Sequence, residues 1–255
     1  MILFKYGGHA ISENEKADPA IEFLAEKIKA GEKIVIVHGG GPQIDRELEV
    51  HGIVSEMVAG LRKTTPEVFE VVQRTLSGEV LRNLTNQLIG HGVNAIGISA
   101  GDGGLIRAKI ADAELGLVGE IEKIDSTVIR NFLAQGLTPI VSPIAVSDSG
   151  IGLNLNADLV AGAIGGALGA DVVMFSTDVE GIYRNWPDAK SLIGTIGVTE
   201  LIDIAKDFQG GMIPKARAAI SAIQSGAKSV RVFDGRTISN LADAFAGKTG
   251  TLVVA

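Results

Sequence analysis

The 255-residue sequence contains no cysteine. Disulfides and thiolate metal sites are therefore excluded, and nothing points to an oxidising compartment. Basic charge is also short: the formal net charge is -7. A sequence-independent nucleic-acid binder needs a basic face, so that class is disfavoured. No stretch reaches the ~18 consecutive apolar residues of a membrane span. The start, Ile2-Leu3-Phe4 followed by Lys5, is not built like a signal peptide. The cytoplasm is the expected location.

Familiar motifs are missing as well. Gly247-Lys248-Thr249 resembles the end of a P-loop, but Ala242 stands where that motif needs its first glycine. The spacing Gly39-x-Gly41-x-x-Ile44 lacks the third glycine of a dinucleotide fingerprint. No Gly-x-Ser-x-Gly elbow occurs, so a serine hydrolase has no support. The histidines His9, His38, His51 and His91 do not fall at the spacing of a zinc motif.

Apolar residues make up 46% of the chain and charged residues 21%, as in an ordinary globular protein. Glycine is in excess: 33 residues, against a typical ~7%. Buried strands are expected at Ile2–Phe4, Lys33–Val37, Ala95–Ser99, Pro139–Val141, Val172–Ser176, Ser229–Phe233 and Thr251–Val254. Amphipathic helices are expected at Pro19–Ala30, Gln43–His51, Pro66–Ile89, Thr127–Gln135, Asp158–Leu168, Lys215–Gln224 and Ile238–Phe245. Gly78 is a candidate break in the third of these. The alternation predicts an α/β fold with a mostly parallel sheet covered on both faces. Shorter β-like pieces near Ile53–Lys63 and Leu115–Lys123 are candidates for hairpins over an active-site mouth.

Parallel sheets bind ligands beyond the carboxyl ends of their strands, and the glycine clusters lie there. After the first strand, Lys5-Tyr6-Gly7-Gly8 sets one cation and bare amides at a strand end. A surface lysine and a plain turn is the alternative reading. After the second, His38-Gly39-Gly40-Gly41-Pro42 leads into a helix. Three glycines allow close backbone approach to a ligand, and the helix start supplies free N–H groups. In Asn154-Leu155-Asn156-Ala157-Asp158 the polar residues alternate onto one side of an extended chain. Asn156 suits a helix cap, while Asn154 and Asp158 are placed to reach a ligand. Leu159 occupies the glycine position of a calcium loop, so that reading fails. Thr177-Asp178-Val179-Glu180-Gly181-Ile182-Tyr183 reads equally well as an Asx-type turn. In Gly210-Gly211-Met212-Ile213-Pro214-Lys215 a lysine opposes the dipole of the helix it enters, which costs stability unless an anion is near.

Taken together, the order and spacing of these motifs, with Gly60-Leu61-Arg62-x-Thr64, resemble the amino acid kinase family over nearly the whole chain. The resemblance implies a three-layer α/β/α sandwich around a mainly parallel sheet of about eight strands. It implies an acceptor-binding N-lobe over residues 1–170 and a nucleotide-binding C-lobe over 171–255. The implied reaction takes a phosphoryl group from ATP to the side-chain carboxylate of N-acetyl-L-glutamate, in arginine biosynthesis. The implied catalytic set is Lys5 and Lys215, oriented by Asp158, with the Gly8 amide on the transferred group. Gly40, Gly41, Arg62 and Asn154 would hold the acceptor, Arg62 through its α-carboxylate. Gly7, Thr177, Asp178, Gly181, Ile182, Tyr183, Gly211 and Met212 would border the nucleotide. Mg2+ would arrive mainly on the ATP phosphates.

The chemistry agrees with that set. A glutamate side-chain carboxylate, with a pKa of about 4.3, is already ionised at neutral pH and needs no general base. Alignment and charge neutralisation remain to be supplied. Two segments depart from the family pattern: Gly78-Glu79-Val80-Leu81-Arg82-Asn83 and Ser99-Ala100-Gly101-Asp102-Gly103. The chain also begins at its first strand, without the segment that resembles an arginine-sensing, hexamer-forming helix in some relatives. A homodimer free of arginine inhibition is expected. Two other readings stand beside this one. The first is a kinase for a carrier-linked aminoadipate or for glutamate, although such relatives tend to replace the triple glycine and the Asn-Ala-Asp context. The second is an acetylglutamate-binding regulator without catalysis, which retention of Lys5, Lys215 and Asp158 argues against.

Overall fold

The computed structural model describes residues 1–7, 18–58, 60–208 and 212–255. The chain opens with β1 (Ile2–Tyr6), α1 (Pro19–Lys29), β2 (Ile34–His38), α2 (Gly41–Val50) and the hairpin β3 (Met57–Val58) and β4 (Leu61–Arg62). There follow α3 (Pro66–Gln73), α4 (Leu81–Gly90), β5 (Ala95–Ser99), β6 (Ile106–Ile110), β7 (Gly119–Ile124) and α5 (Thr127–Ala134). Next come β8 (Thr138–Ser142), β9 (Ile144–Val146), β10 (Gly152–Asn154), α6 (Ala157–Leu168) and β11 (Val172–Thr177). The chain closes with β12 (Thr195–Gly197), α7 (Val198–Ile204), α8 (Met212–Gln224), β13 (Ser229–Asp234), α9 (Ile238–Phe245) and β14 (Thr251–Val254).

Eight strands form the main sheet in the order β12-β14-β13-β11-β1-β2-β8-β5. All its pairings are parallel except β13 with β14. Side-chain parity decides what each face meets. On β2, Val35 and Val37 join the core that contains Val160 and Ile164 of α6, whereas Ile34 and Ile36 join the core of α1 and α4. On β1, Leu3 lies with the first group, and Phe4 and Tyr6 lie with the second. Helices thus cover both faces, as the alternation in sequence predicts. Strand β1 lies between β2 on one side and β11 on the other, so the sheet builds away from it in both directions. The carboxyl end of β1 is therefore a topological switch point, where open α/β sheets bind ligands.

Several expected boundaries shift by a residue or two, and two readings change. The helix through Gly78 does not break. It passes through a π-helical segment, Arg74–Val80, that joins α3 to α4. There the Ser77 hydroxyl sits 2.9 Å from that of Ser99 and 2.8 Å from that of Ser142. Ser77, next to the first departing segment, thus meets the start of the second at the carboxyl ends of β5 and β8. The second β-like piece forms its hairpin with a strand outside it. Met57–Arg62 closes on itself, whereas β7 pairs antiparallel with the preceding β6, in a separate sheet of order β10-β9-β6-β7. Strands β6, β9, β10 and β12, and helix α7, are not among the expected elements; each is short, from three to seven residues.

Candidate active site

Lys5 stands two residues after Leu3 on β1 and therefore faces the same side, toward α6. That helix lies close to the sheet because Gly165 faces it. A Cβ at Gly165 would stand 2.4 Å from Val173 Cγ2 and 3.4 Å from Leu3 Cβ. The helix start is fixed by Asn156, whose side-chain oxygen accepts from the amides of Asp158 (2.8 Å) and Leu159 (3.2 Å). Such a cap contributes about 1 kcal/mol. Asp158 is thereby held in the first turn, with Oδ1 2.9 Å from Lys5 Nζ. The two side chains are 25% and 12% exposed, respectively. Solvent screens such a half-buried pair less than a surface one.

The pair borders a cavity of about 230 Å³, further lined by Gly40, Gly41, Arg62 and Asn154. That is below the ~300–1,000 Å³ of pockets for drug-sized ligands, and fits a small metabolite. The glycines differ in what they do. A Cβ at Gly40 would stand 2.6 Å from Leu76 Cδ2, so a larger residue there would push the Leu76 side chain aside. At Gly41 a Cβ would meet nothing within 4 Å, so that position lies open. Helix α2 begins at Gly41 without a side-chain cap, leaving first-turn amides to an anion.

Arg62 comes from the β3–β4 hairpin and is 10% exposed. One terminal nitrogen donates to Ser55 Oγ at 2.6 Å, and the other lies 2.6 Å from Asp45 Oδ1. A chain of hydrogen bonds links it to Asn154. Asn154 Nδ2 lies 3.2 Å from Thr64 Oγ1, which donates to the Arg62 carbonyl at 2.7 Å. Asp45, Ser55 and Thr64 were not among the expected site residues. Thr64 carried a signal as the last position of the Gly-Leu-Arg-x-Thr motif. Asp45 and Ser55 carried none, because only the folded hairpin brings them to Arg62.

The other side of β1 is arranged differently. A Cβ at Gly7 would stand 2.7 Å from the Ser176 carbonyl oxygen and 3.5 Å from Lys5 Nζ, so bare backbone joins the two sides. The Thr177 hydroxyl lies 3.1 Å from the carbonyls of Val179 and Phe233 and ties its own turn to β13. Gly181 packs on Thr251, whose hydroxyl accepts from the Ile182 amide at 2.7 Å. Ile182 is fully buried and its carbonyl accepts from Ile193. Both its side chain and its backbone thus anchor the turn from behind. Tyr183 is buried too, and its hydroxyl donates to Glu180 at 3.0 Å. Burial, with Glu180 and Asp234 nearby, pushes its pKa up to about 12. Asp178 is half-exposed, 3.4 Å from Lys215 Nζ. Lys215 lies in the first turn of α8, and Met212, its first residue, is buried. The ion pairs are thus Lys5 with Asp158 and Lys215 with Asp178. Gly8 and Gly211 lie outside the described residues.

His38 ends β2 fully buried, with Nδ1 2.8 Å from the Gly39 carbonyl. A carbonyl only accepts, so Nδ1 carries the proton. Burial lowers its pKa to about 4, which leaves it neutral at pH 7. It supports the glycine turn and is unsuited to proton transfer in the cavity.

The model of the amino acid kinase family matches residues 1–234. The chain belongs to the amino acid kinase family. One relative, the acetylglutamate kinase of Deinococcus radiodurans, is 40% identical over 255 residues, covering 99% of this chain and all of the relative. Among solved structures, a Streptococcus mutans protein superposes with a TM-score of 0.83 at 28% identity, covering 100% of this chain and 98% of that one. The carbamate kinase of Giardia lamblia, solved with AMP-PNP bound, shares the amino acid kinase fold. Its TM-score is 0.69 at 22% identity, covering 99% and 97% of the two chains.

Proposed function

We propose that this amino acid kinase transfers the terminal phosphoryl group of ATP to the side-chain carboxylate of N-acetyl-L-glutamate. The products are N-acetyl-L-glutamyl 5-phosphate and ADP, in arginine biosynthesis. The observation that carries the reading is a small cavity lined by two cations, Arg62 and Lys5, the latter paired with Asp158. A dicarboxylate has two anionic ends to match. Identity of about 40% to relatives named acetylglutamate kinase selects the acceptor.

In this reading Arg62 and Asn154 hold the acceptor's α-carboxylate and amide, and Gly41 leaves room for its backbone. The reacting carboxylate is ionised at neutral pH, so no base is required. Lys5 neutralises charge on the transferred group, and Asp158 fixes its position. Lys215 acts from the nucleotide side, and the Gly8 amide completes the set. Preorganised cations of this kind are the main catalytic resource in phosphoryl transfer. Every described residue that lines the cavity falls within 1–170, which supports the assignment of that lobe to the acceptor. The 171–255 lobe would hold the nucleotide, with the Thr177–Tyr183 turn, Gly7, Gly211 and Met212 around it. Mg2+ would arrive on the ATP phosphates, where it needs few protein ligands. Homodimeric assembly and a cytoplasmic location complete the proposal and rest on the family resemblance. Among the described residues no helix is long and apolar enough to cross a membrane.

An ATP-consumption assay over N-acetyl-L-glutamate, L-glutamate, N-acetyl-L-aspartate and aminoadipate derivatives tests the reading. N-Acetyl-L-glutamate is expected to give the highest kcat/KM, with an acyl phosphate product that hydroxylamine traps. Absence of ADP formation with that acceptor would sink the proposal.

A further inference from the structure

We propose that Thr64 is a positioning residue that decides which end of the Asn154 carboxamide faces the cavity, so that the site reads an N–H group on its ligand. The inference rests on Arg62 and Asn154 holding the acceptor. Thr64 is fully buried, and its hydroxyl oxygen lies 2.7 Å from the Arg62 carbonyl oxygen. A carbonyl can only accept, so the single hydroxyl proton is committed there. Oγ1 then offers only lone pairs to other neighbours. The Asn154 side chain approaches that same oxygen at 3.2 Å. Only its NH2 end can donate, since the carbonyl end would set lone pair against lone pair. Nδ2 is therefore held at Thr64, and Oδ1 is left to the cavity that Asn154 lines.

The surrounding backbone keeps this arrangement in register. The Thr64 amide donates to Leu115 at 2.9 Å, and its carbonyl accepts from Leu117 at 2.7 Å. The Asn154 amide donates to the Leu117 carbonyl at 2.9 Å. The cavity thus presents donors from Arg62 beside one fixed acceptor from Asn154. An N-acylated α-amino acid carries the complement on one carbon atom: a carboxylate that accepts and an amide N–H that donates. The ester analogue, with oxygen in place of that nitrogen, turns a lone pair toward Oδ1.

The test compares kcat/KM for N-acetyl-L-glutamate and for its ester analogue in the native protein and in Thr64→Val, Thr64→Ser and Asn154→Ala. The native protein is expected to prefer the amide by at least about tenfold, the worth of one neutral hydrogen bond. Thr64→Val frees the carboxamide to turn over and should bring the preference below about threefold. Thr64→Ser should restore it, and Asn154→Ala should abolish it. A purely structural role would lower both substrates together and leave their ratio unchanged. An unchanged ratio in folded Thr64→Val, a preference kept by Asn154→Ala, or no preference in the native protein would overturn the inference. Failure of the native protein to use N-acetyl-L-glutamate at all would overturn the functional reading instead.

Discussion

The two sides of β1 solve different problems with similar residues. On the β2 side, polar groups are fixed in place and turned toward a cavity: Arg62 by Asp45 and Ser55, Asn154 by Thr64, and Lys5 by Asp158. On the β11 side the polar groups are largely spent on their own turn. Thr177 bonds to Val179 and Phe233, Ile182 to Thr251 and Ile193, and Tyr183 to Glu180, while Lys215 meets the half-exposed Asp178 at the longer distance of 3.4 Å. A site for a small acceptor gains from groups that are already oriented, because little ordering is left to be done on binding. The β11 side offers a mostly backbone-built wall, with Lys215 in the first turn of α8.

The largest expected effect tests whether both sides act in one reaction. Lys5→Ala and Lys215→Ala should each lower kcat by about 10²–10³, the cost of losing one preorganised donor. Circular dichroism should stay unchanged. A near-normal kcat in either variant would confine catalysis to the other side. The next effect concerns the support beneath the cavity. The folded pKa of His38, about 4, lies below its usual 6.5. Between those values the unfolded chain binds more protons, so the stability contribution is complete above pH 6.5 and is lost as pH falls toward 4. The full loss is about 3 kcal/mol. Denaturant midpoints measured from pH 7 to pH 4.5 should drop more steeply for the native protein than for His38→Leu. Parallel curves would mean that His38 is not the titrating group.

Arg62→Ala sharpens the contrast directly. Loss of a hydrogen-bonded cation is worth about 1.5–3 kcal/mol, or roughly 10- to 100-fold. That change should appear in the acceptor KM, with the ATP KM unmoved. An ATP KM that rose in step would show the two sides to be one binding unit. The smallest effect is Asn156→Ala, expected to cost about 1 kcal/mol of stability through the lost cap. It should also lower kcat modestly, because the first turn of α6 carries Asp158. A stability loss with kcat intact would show that Asp158 needs no help from the cap.

Much of this was legible from residue order. The all-apolar runs at β1, β2, β8 and β11 mark strands buried on both faces, and their alternation with amphipathic helices implies a parallel sheet. Lys5, Arg62, Asn154 and Asp158 stand in motifs and do line one cavity. The exceptions have physical causes. Strand β12 is three residues long and pairs with β14, which no local pattern announces. Gly78 reads as a helix break, yet the π-helical segment absorbs it without interruption. Ile182 sits within a turn motif, but its apolar side chain goes to the core and its backbone to Thr251 and Ile193.

The sequence by itself determined the parallel α/β fold, the strand-end placement of the glycine loops and the charge types in the site. Periodicity and turn chemistry act over a few neighbouring residues, so they can be read along the chain. The family resemblance already implied Asp158 beside Lys5, and the fold bears that pair out. Only the tertiary structure decided the other partners: Asp178 for Lys215, Asp45 and Ser55 for Arg62, and Thr64 for Asn154. Those pairings join residues that are mostly distant in sequence. Their distances follow from strand register, from the close seat of α6 on β1 and from the fold of the β3–β4 hairpin.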